Sequence, residues 1–169
     1  IDKFLQDLPS HVVVVFDEAY KEFVEAEEYP ETLELIDQAE QPIVVLRTFS
    51  KIYGLAGLRL GYAVAKPEII QVLEHAREPF NTNGAAQAAA IAALADEAHV
   101  QASRELVIRE KQYLYREFRA LNLQFVPSEA NFILVDVEQD CKEVYTALLR
   151  LGVIVRTADI FGYPTSLRI

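Results

Sequence analysis

The chain has 169 residues, 51% of them hydrophobic, so it can bury the core of one ordinary domain or parts of two. Its net charge of −10, without a basic stripe, opposes nucleic-acid binding, and no apolar stretch approaches the roughly 20 residues that cross a bilayer. A single cysteine, with no Cys/His cluster at metal-ligand spacing, predicts a reducing compartment, by default the cytoplasm, and no metal site.

The first half of the chain predicts a mixed sheet. Residues 12–16 and 43–46 are continuous apolar runs rich in β-branched residues, which is typical of strands covered on both faces of a parallel sheet. Residues 30–39 lie between them and suit the crossover helix of a βαβ unit. The next run, residues 58–65, follows Thr48 too closely for a crossover, so it is expected to pair antiparallel.

Helical periodicity dominates the middle of the chain. Residues 67–76 place apolar side chains on one face, and Asn83 suits the N-cap of an alanine-rich helix that runs to about residue 94. The later segments are predicted as follows: a helix at 97–121, strands at 124–126, 132–137 and 153–156, a helix at 142–151, and a strand from 167. We therefore predict two domains, an incomplete α/β domain over residues 1–100 and a small, incomplete α+β domain over residues 101–169.

The two ends of the chain do not have the character of natural termini. The sequence begins at Ile1 without an initiator methionine, and it stops at Ile169 inside a predicted strand. We therefore expect a piece of a longer protein.

Polar side chains follow the first two predicted strands. Asp17 and Glu18 come directly after the first strand, and residues 48–51 come after the second. Arg59 lies eight residues beyond Lys51, after a further turn of the chain. Ligands of open α/β sheets bind at the carboxyl ends of the strands, so these segments are expected to meet over one crevice that holds one carboxylate, one lysine, hydroxyls and Arg59.

The residues of this crevice suit pyridoxal 5′-phosphate (PLP). The cofactor requires a lysine amine that forms an imine with its aldehyde and a carboxylate that keeps its pyridine nitrogen protonated, and Lys51 and Asp17 fit these roles. Tyr20 is a candidate for contact with the phenolic oxygen of the ring. The phosphate of the cofactor needs hydroxyl and guanidinium donors, and the candidates in this crevice are Thr48, Ser50 and Arg59.

Five segments resemble the motifs of fold-type I aminotransferases, which are PLP-dependent. In chain order they are Phe16-Asp17-Glu18-Ala19-Tyr20, residues 47–62 with Arg47-Thr48-Phe49-Ser50-Lys51 at their start, Pro79-Phe80-Asn81-Thr82-Asn83, Ser128-Glu129-Ala130-Asn131-Phe132 and Leu167-Arg168-Ile169. Within that family they are most similar to histidinol-phosphate aminotransferases. The resemblance covers essentially the whole chain.

The resemblance implies part of the large PLP-binding domain, a mixed and mostly parallel sheet with flanking helices, plus a small α+β C-terminal domain. It assigns the cofactor roles given above to the same residues, and it places Arg168 and Asn131 at the substrate. It implies amino transfer between histidinol phosphate and 2-oxoglutarate or glutamate, by a homodimer in histidine biosynthesis. Relative to that family, the N-terminal half and the C-terminal end are absent from this sequence.

Other interpretations stay open. An apolar strand that ends in Asp-Glu also holds magnesium in ATPases, although this chain has no Gly-x-x-x-x-Gly-Lys-Ser/Thr loop. Tyr20, Asn131 and Arg168 have structural alternatives, as a packing tyrosine, a turn asparagine and a strand arginine. Among PLP proteins, the alternatives are a threonine-phosphate decarboxylase and the PLP-sensing, aminotransferase-like domain of a transcription regulator.

Overall fold

The computed structural model describes all 169 residues, which divide into two compact units. The first unit comprises Ile1–Glu22 and Ala26–Gln101, and the second comprises Phe23–Glu25 and Ala102–Ile169. The helices and strands in chain order are α1 (Asp2–Gln6), β1 (Val14–Asp17), α2 (Thr32–Gln38), β2 (Ile43–Thr48), β3 (Gly61–Ala65), α3 (Pro67–Ala76), α4 (Gly84–Leu94), α5 (Glu97–Ala120), β4 (Gln124–Val126), β5 (Leu134–Asp136), α6 (Cys141–Arg150), β6 (Arg156–Thr157) and β7 (Ser166–Arg168). None of the helices combines the length and the apolar composition that a membrane span requires.

The first unit is built on a three-stranded mixed sheet in the order β1-β2-β3. Strands β1 and β2 are parallel, with Val14 opposite Ile43, and α2 lies between them in the chain as the crossover helix, which confirms that prediction. Strand β3 is antiparallel to β2, with Gly61 opposite Thr48, as the short connection predicted. The strand is shorter than expected because Ala56–Leu58 forms a turn of 3₁₀ helix.

One face of this sheet carries the core of the first unit. The side chains of this core come from the sheet and from α1 and α2: Leu5, Val14, Ile36, Ile43 and Val45. The other face is partly open, since Val15 is 53% exposed and Leu46 is 37% exposed. The prediction that both strand faces are covered is therefore wrong at these positions within this unit. A continuous apolar run does not specify which face the helices of its own unit cover.

Local signals set the ends of the helices after the sheet. Pro67 occupies the first turn of α3, where its missing N–H has no helical partner to lose. Asn83 caps α4 as predicted, because its Oδ1 accepts a hydrogen bond of 2.8 Å from the backbone N–H of Ala86.

The second unit packs helices α5 and α6 against a four-stranded antiparallel sheet in the order β4-β5-β7-β6. Its core contains Tyr115, Phe118, Val135 and Leu167 from these elements and Ile133, which directly precedes β5. The rings of Tyr115 and Phe125 stack with centroids 4.8 Å apart. The α+β character predicted for the C-terminal part of the chain is present.

The predicted strand at 153–156 is mostly wrong, because the first residue of that range takes part in the hydrogen bonds that terminate α6. The N–H of Val153 donates to the carbonyl of Leu148, and the N–H of Gly152 donates to that of Leu149. This pair of bonds, with Gly152 at a positive φ of 80°, is the Schellman arrangement that terminates a helix. Strand β6 therefore starts only at Arg156, and β5 is likewise shorter than the predicted 132–137.

A buried lysine in the second unit was not predicted. Lys111 in α5 is 4% exposed, and its Nζ lies 2.7 Å from Glu25 Oε1 while donating to the carbonyl of Ser128 at 2.8 Å. The backbone N–H of Glu25 donates to Glu129 Oε2 at 2.6 Å. These bonds explain why residues 23–25 belong to the second unit although their neighbours in the chain belong to the first.

Candidate active site

The carboxyl ends of β1 and β2 open onto a cleft with a volume of about 640 Å³. Five of the eight residues predicted for the site line it: Asp17, Thr48, Ser50, Lys51 and Arg59. The structure therefore brings the lysine, the carboxylate and the candidate phosphate donors together within the first unit. The volume falls within the range of small-molecule and cofactor sites, about 300 to 1,000 Å³.

Asp17 is placed by the register of β1. It is the last residue of that strand and lies opposite Leu46 of β2. Its Oδ1 accepts a hydrogen bond of 3.1 Å from the N–H of Ala19, so the following turn orients the carboxylate. The side chain is otherwise exposed toward the cleft, where a cationic partner can reach it.

The segment after β2 presents its polar residues to the cleft because its apolar residues are anchored. Phe49 and Ile52 are 4% and 3% exposed, whereas Ser50 and Lys51 between them line the cleft. Thr48 Oγ1 accepts a hydrogen bond of 3.1 Å from the N–H of Ser50, which tightens the turn. Buried residues on both sides thus limit the positions that Lys51 can occupy.

Tyr20 lies beside the lysine. The Nζ atom of Lys51 is 4.9 Å from the centroid of the Tyr20 ring, within the range of a cation–π contact. Tyr20 follows Asp17 by three residues, so one short segment supplies both the carboxylate and the ring.

Arg59 reaches the cleft through an unusual backbone conformation. Its φ and ψ are both 54°, the left-handed region that few non-glycine residues adopt. Its Nη1 donates a hydrogen bond of 2.8 Å to the carbonyl of Ala56, which orients the guanidinium. Left-handed residues held by surrounding structure concentrate at functional sites.

Gly61 allows β3 to pass close to β2 at the rim of the cleft. A Cβ at this position would meet the carbonyl oxygen of Arg47 at 2.8 Å, and backbone atoms cannot turn aside as a flexible side chain can. We expect Gly61→Ala to lower the free energy of unfolding by about 1 to 3 kcal/mol, as overpacking does. Denaturant unfolding checks this result. Gly57→Ala, where nothing lies within 4 Å of the new methyl group, is the control and should be nearly neutral; equal losses would contradict the steric explanation.

Glu18 does not line the cleft, although it is the chain neighbour of Asp17. It is 2% exposed, and its Oε1 accepts hydrogen bonds from Thr32 Oγ1 at 2.5 Å and from Tyr29 Oη at 3.0 Å. Its Oε2 accepts from Arg47 Nε at 2.9 Å, and Arg47 Nη2 lies at the same distance. The alternation of side chains along a strand was the available signal, because it sends neighbours of Asp17 to the opposite face.

The hydrogen bonds around Glu18 decide its protonation state. Burial raises its pKa, but hydrogen bonds from Thr32, Arg47 and Tyr29 outweigh burial, so the pKa lies below its ordinary value. Burial and the bond to Glu18 raise the pKa of Tyr29 to about 12. Glu18 is therefore an ionised, fully bonded carboxylate, which is a poor candidate for proton transfer.

The two predicted substrate residues lie in the second unit. Arg168 is in β7 between Leu134 and Arg156, and its guanidinium carbon is 4.8 Å from the centroid of the Phe132 ring. Asn131 is exposed and lines a mainly apolar pocket of about 260 Å³ that also includes Phe132 and Ile169.

The charges in the cleft suit an anionic ligand that carries a carbonyl group. Lys51 and Arg59 are cationic, Asp17 is anionic, and Thr48 and Ser50 supply hydroxyls. An amine can bond a carbonyl carbon, a carboxylate can hold a proton on a ring nitrogen, and a guanidinium with hydroxyls can bind a phosphate. The donor set therefore fits PLP.

Comparison with known proteins gives consistent results. The family model for aminotransferase class I and II matches residues 2–169. A histidinol-phosphate aminotransferase from Moorella thermoacetica is 57% identical over 169 residues, which are 100% of this chain and 44% of that protein. The enzyme of the same name from Caldicellulosiruptor saccharolyticus is 46% identical over 166 residues, covering 98% of this chain and 46% of that protein.

A solved structure has the same fold as this chain. The histidinol-phosphate aminotransferase of Sinorhizobium meliloti in complex with pyridoxal 5′-phosphate matches with a TM-score of 0.88 and 32% identity, over 99% of this chain and 46% of that one. The chain thus spans about half the length of the relatives that it matches.

Proposed function

The chain belongs to the aminotransferase class I and II family, and on that premise we propose that the intact protein is a PLP-dependent aminotransferase. The observation that carries the proposal is the placement of Lys51, Asp17 and the donors of a phosphate site in one cleft. When bound, PLP supplies an electron-accepting ring that stabilises negative charge on a substrate carbon.

In this proposal each residue of the cleft has its own role toward the cofactor or the substrate. The Lys51 amine would hold the cofactor and would move the proton of the substrate carbon that bears the amino group. The Asp17 carboxylate would hold the proton on the pyridine nitrogen, and Tyr20 would contact the phenolic oxygen. The remaining donors would bind the phosphate: Thr48, Ser50 and Arg59.

We propose histidinol phosphate and glutamate as the amino donors and 2-oxoglutarate as an acceptor, in a cytoplasmic homodimer. The support for the substrates is the name shared by relatives that are 46% to 57% identical over nearly the whole chain. In this proposal Arg168 and Asn131 of the second unit bind the substrate, Arg168 through its anionic group.

The test is an assay of the intact protein with PLP, histidinol phosphate and 2-oxoglutarate, in which glutamate production is measured by a coupled reaction. Threonine phosphate is offered in parallel, and release of carbon dioxide is measured. Glutamate production without decarboxylation supports the proposal. Decarboxylation without glutamate production would identify a different PLP enzyme, and PLP binding with neither reaction would favour a sensor domain.

Replacement of Arg168 separates substrate binding from cofactor binding. We expect Arg168→Ala to raise the KM for the amino donor by about tenfold or more, while the Kd for PLP changes little, because a lost charge-assisted pair weakens only the ligand that it contacts. Steady-state kinetics and equilibrium dialysis measure the two constants. Arg156→Ala, opposite Arg168 in the same sheet, is the matched control. If both constants shift equally for Arg168→Ala, its role is structural.

A further inference from the structure

Glu18 and Arg47 form a buried ion pair that the proposed chemistry does not use. Glu18 is 2% exposed, and Thr32 Oγ1, Tyr29 Oη and Arg47 Nε donate to its two oxygens at 2.5, 3.0 and 2.9 Å. Such pairs seldom stabilise a fold more than apolar side chains of similar volume do, because both ions lose their hydration. Stability alone is therefore a weak reason for four polar side chains at this point.

The pair adjoins the cleft. Glu18 is the chain neighbour of Asp17 and does not line the cleft, whereas Arg47 lines it next to Thr48. The N–H of Glu18 also donates to the carbonyl of Leu46 at 2.9 Å, beyond the last paired residue of β1. Backbone and side-chain bonds thus join the ends of the two strands at the same level.

Fixing the strand ends limits the motion of the site. Successive side chains of a strand point to opposite faces, so a pinned Glu18 directs Asp17 to the cleft face. In the same way, an Arg47 held by its bonds to Glu18 fixes the start of the segment from Thr48 to Lys51. Without the pair, the last residues of β1 and β2 would keep only one backbone hydrogen bond between them beyond Asp17.

We infer that Glu18 and Arg47 are positioning residues, which hold Asp17 and the Thr48-Lys51 segment in the geometry that binds PLP. The inference rests on the proposed function, since it assigns these side chains a task at the same cleft. Glu18 lies outside the cleft lining, and Arg47, although it lines the cleft, would act through its ion pair with Glu18. Partners that orient ligating residues at metal sites typically change affinity by about 10- to 100-fold, and we expect a similar scale here.

The test uses the intact protein and two readouts that do not depend on turnover, the Kd for PLP and the position of the visible absorption band of the bound cofactor. Glu18→Gln keeps the acceptor for Thr32 and Tyr29 but leaves Arg47 without its counter-ion. It should weaken PLP binding by about tenfold or more, move the band, and lower the unfolding temperature by about 5 to 10 °C.

Two further variants separate positioning from stability. Glu18→Gln combined with Arg47→Met removes both charges, so it should recover much of the unfolding temperature and still bind PLP weakly. Gln41→Leu removes two hydrogen bonds away from the cleft in the same unit, a buried one to the carbonyl of Leu5 and a part-buried one to that of Leu8. It should lower the unfolding temperature while the Kd stays within about twofold of the wild-type value.

The outcomes distinguish the inference from the function on which it rests. If Gln41→Leu weakens PLP binding as much as Glu18→Gln does, or the double variant restores both affinity and stability, the pair is structural and the inference fails alone. If the wild-type protein binds no PLP, the proposed function fails first. Should Glu18→Gln not fold, Arg47→Lys takes its place, because it keeps a cation and loses the planar fork, and it must show the same loss of affinity.

Discussion

Replacement of Lys51 by alanine is expected to reduce amino transfer by at least about a thousandfold, because loss of a covalent catalytic group removes a step that no neighbour can supply. The fold should survive. Lys51 is partly exposed, and its contact with the ring of Tyr20 is worth about 0.5 to 1 kcal/mol in such a setting. Steady-state rates and thermal unfolding of the intact protein measure the two effects.

Borohydride reduction gives a second and independent measurement for the same residue. In the wild-type protein it should fix PLP to the peptide that contains Lys51, and in Lys51→Ala the label should be lost. Lys3→Ala, at an exposed position of α1 in the same unit, is the control and should keep both the label and the rate. A label on another peptide in the wild-type protein would show that Lys51 is not the anchor.

The elements with local signals were predicted well from the sequence. Asn83 and Pro67 specify helix starts through hydrogen bonds and backbone angles of their own first turns, so no distant residue is needed. The antiparallel pairing of β3 followed from a connection too short for a crossover. The failure at residues 153–156 had a local cause too, and Gly152 after the helix was the signal that strand propensity obscured.

Interactions between distant residues were not predictable in the same way. Glu18 bonds to Tyr29, Thr32 and Arg47, which lie 11, 14 and 29 positions away in the chain. Their meeting depends on the strand register and on where α2 begins, neither of which a residue pattern specifies. The buried Lys111 is a similar case, because lysine is almost never buried without a partner and its partner Glu25 belongs to a remote segment.

The cleft could be predicted because its residues occupy strand ends. Asp17 and Thr48 end β1 and β2, and parallel strands bring such ends to one edge. The left-handed backbone of Arg59 and the close approach of Gly61 to the backbone of Arg47 could not be read from composition. They follow from the turn that connects β2 to β3, whose geometry depends on the buried anchors Phe49 and Ile52.

Asp17→Asn is expected to lower the turnover number by about 100- to 1,000-fold, the range found when one electrostatic group of an active site is removed. The amide has the size of the carboxylate, and its oxygen can still accept the hydrogen bond from the N–H of Ala19. It carries no charge, so it cannot hold a proton on a pyridine nitrogen. The measurements are the turnover number of the intact protein with PLP and its thermal unfolding.

Unchanged stability of Asp17→Asn would show that its loss of turnover does not come from unfolding. Asp17 is exposed, and the amide can keep the hydrogen bond from the N–H of Ala19, so the free energy of unfolding should change by no more than about 0.5 kcal/mol. Asp37→Asn, an exposed acid in α2, is the matched control and should change neither quantity. Glu18→Gln, one residue along the chain, should lower stability because Glu18 is buried in an ion pair. If Asp17→Asn keeps nearly full turnover, Asp17 does not pair with the ring nitrogen, and the donor set of the cleft must be assigned anew.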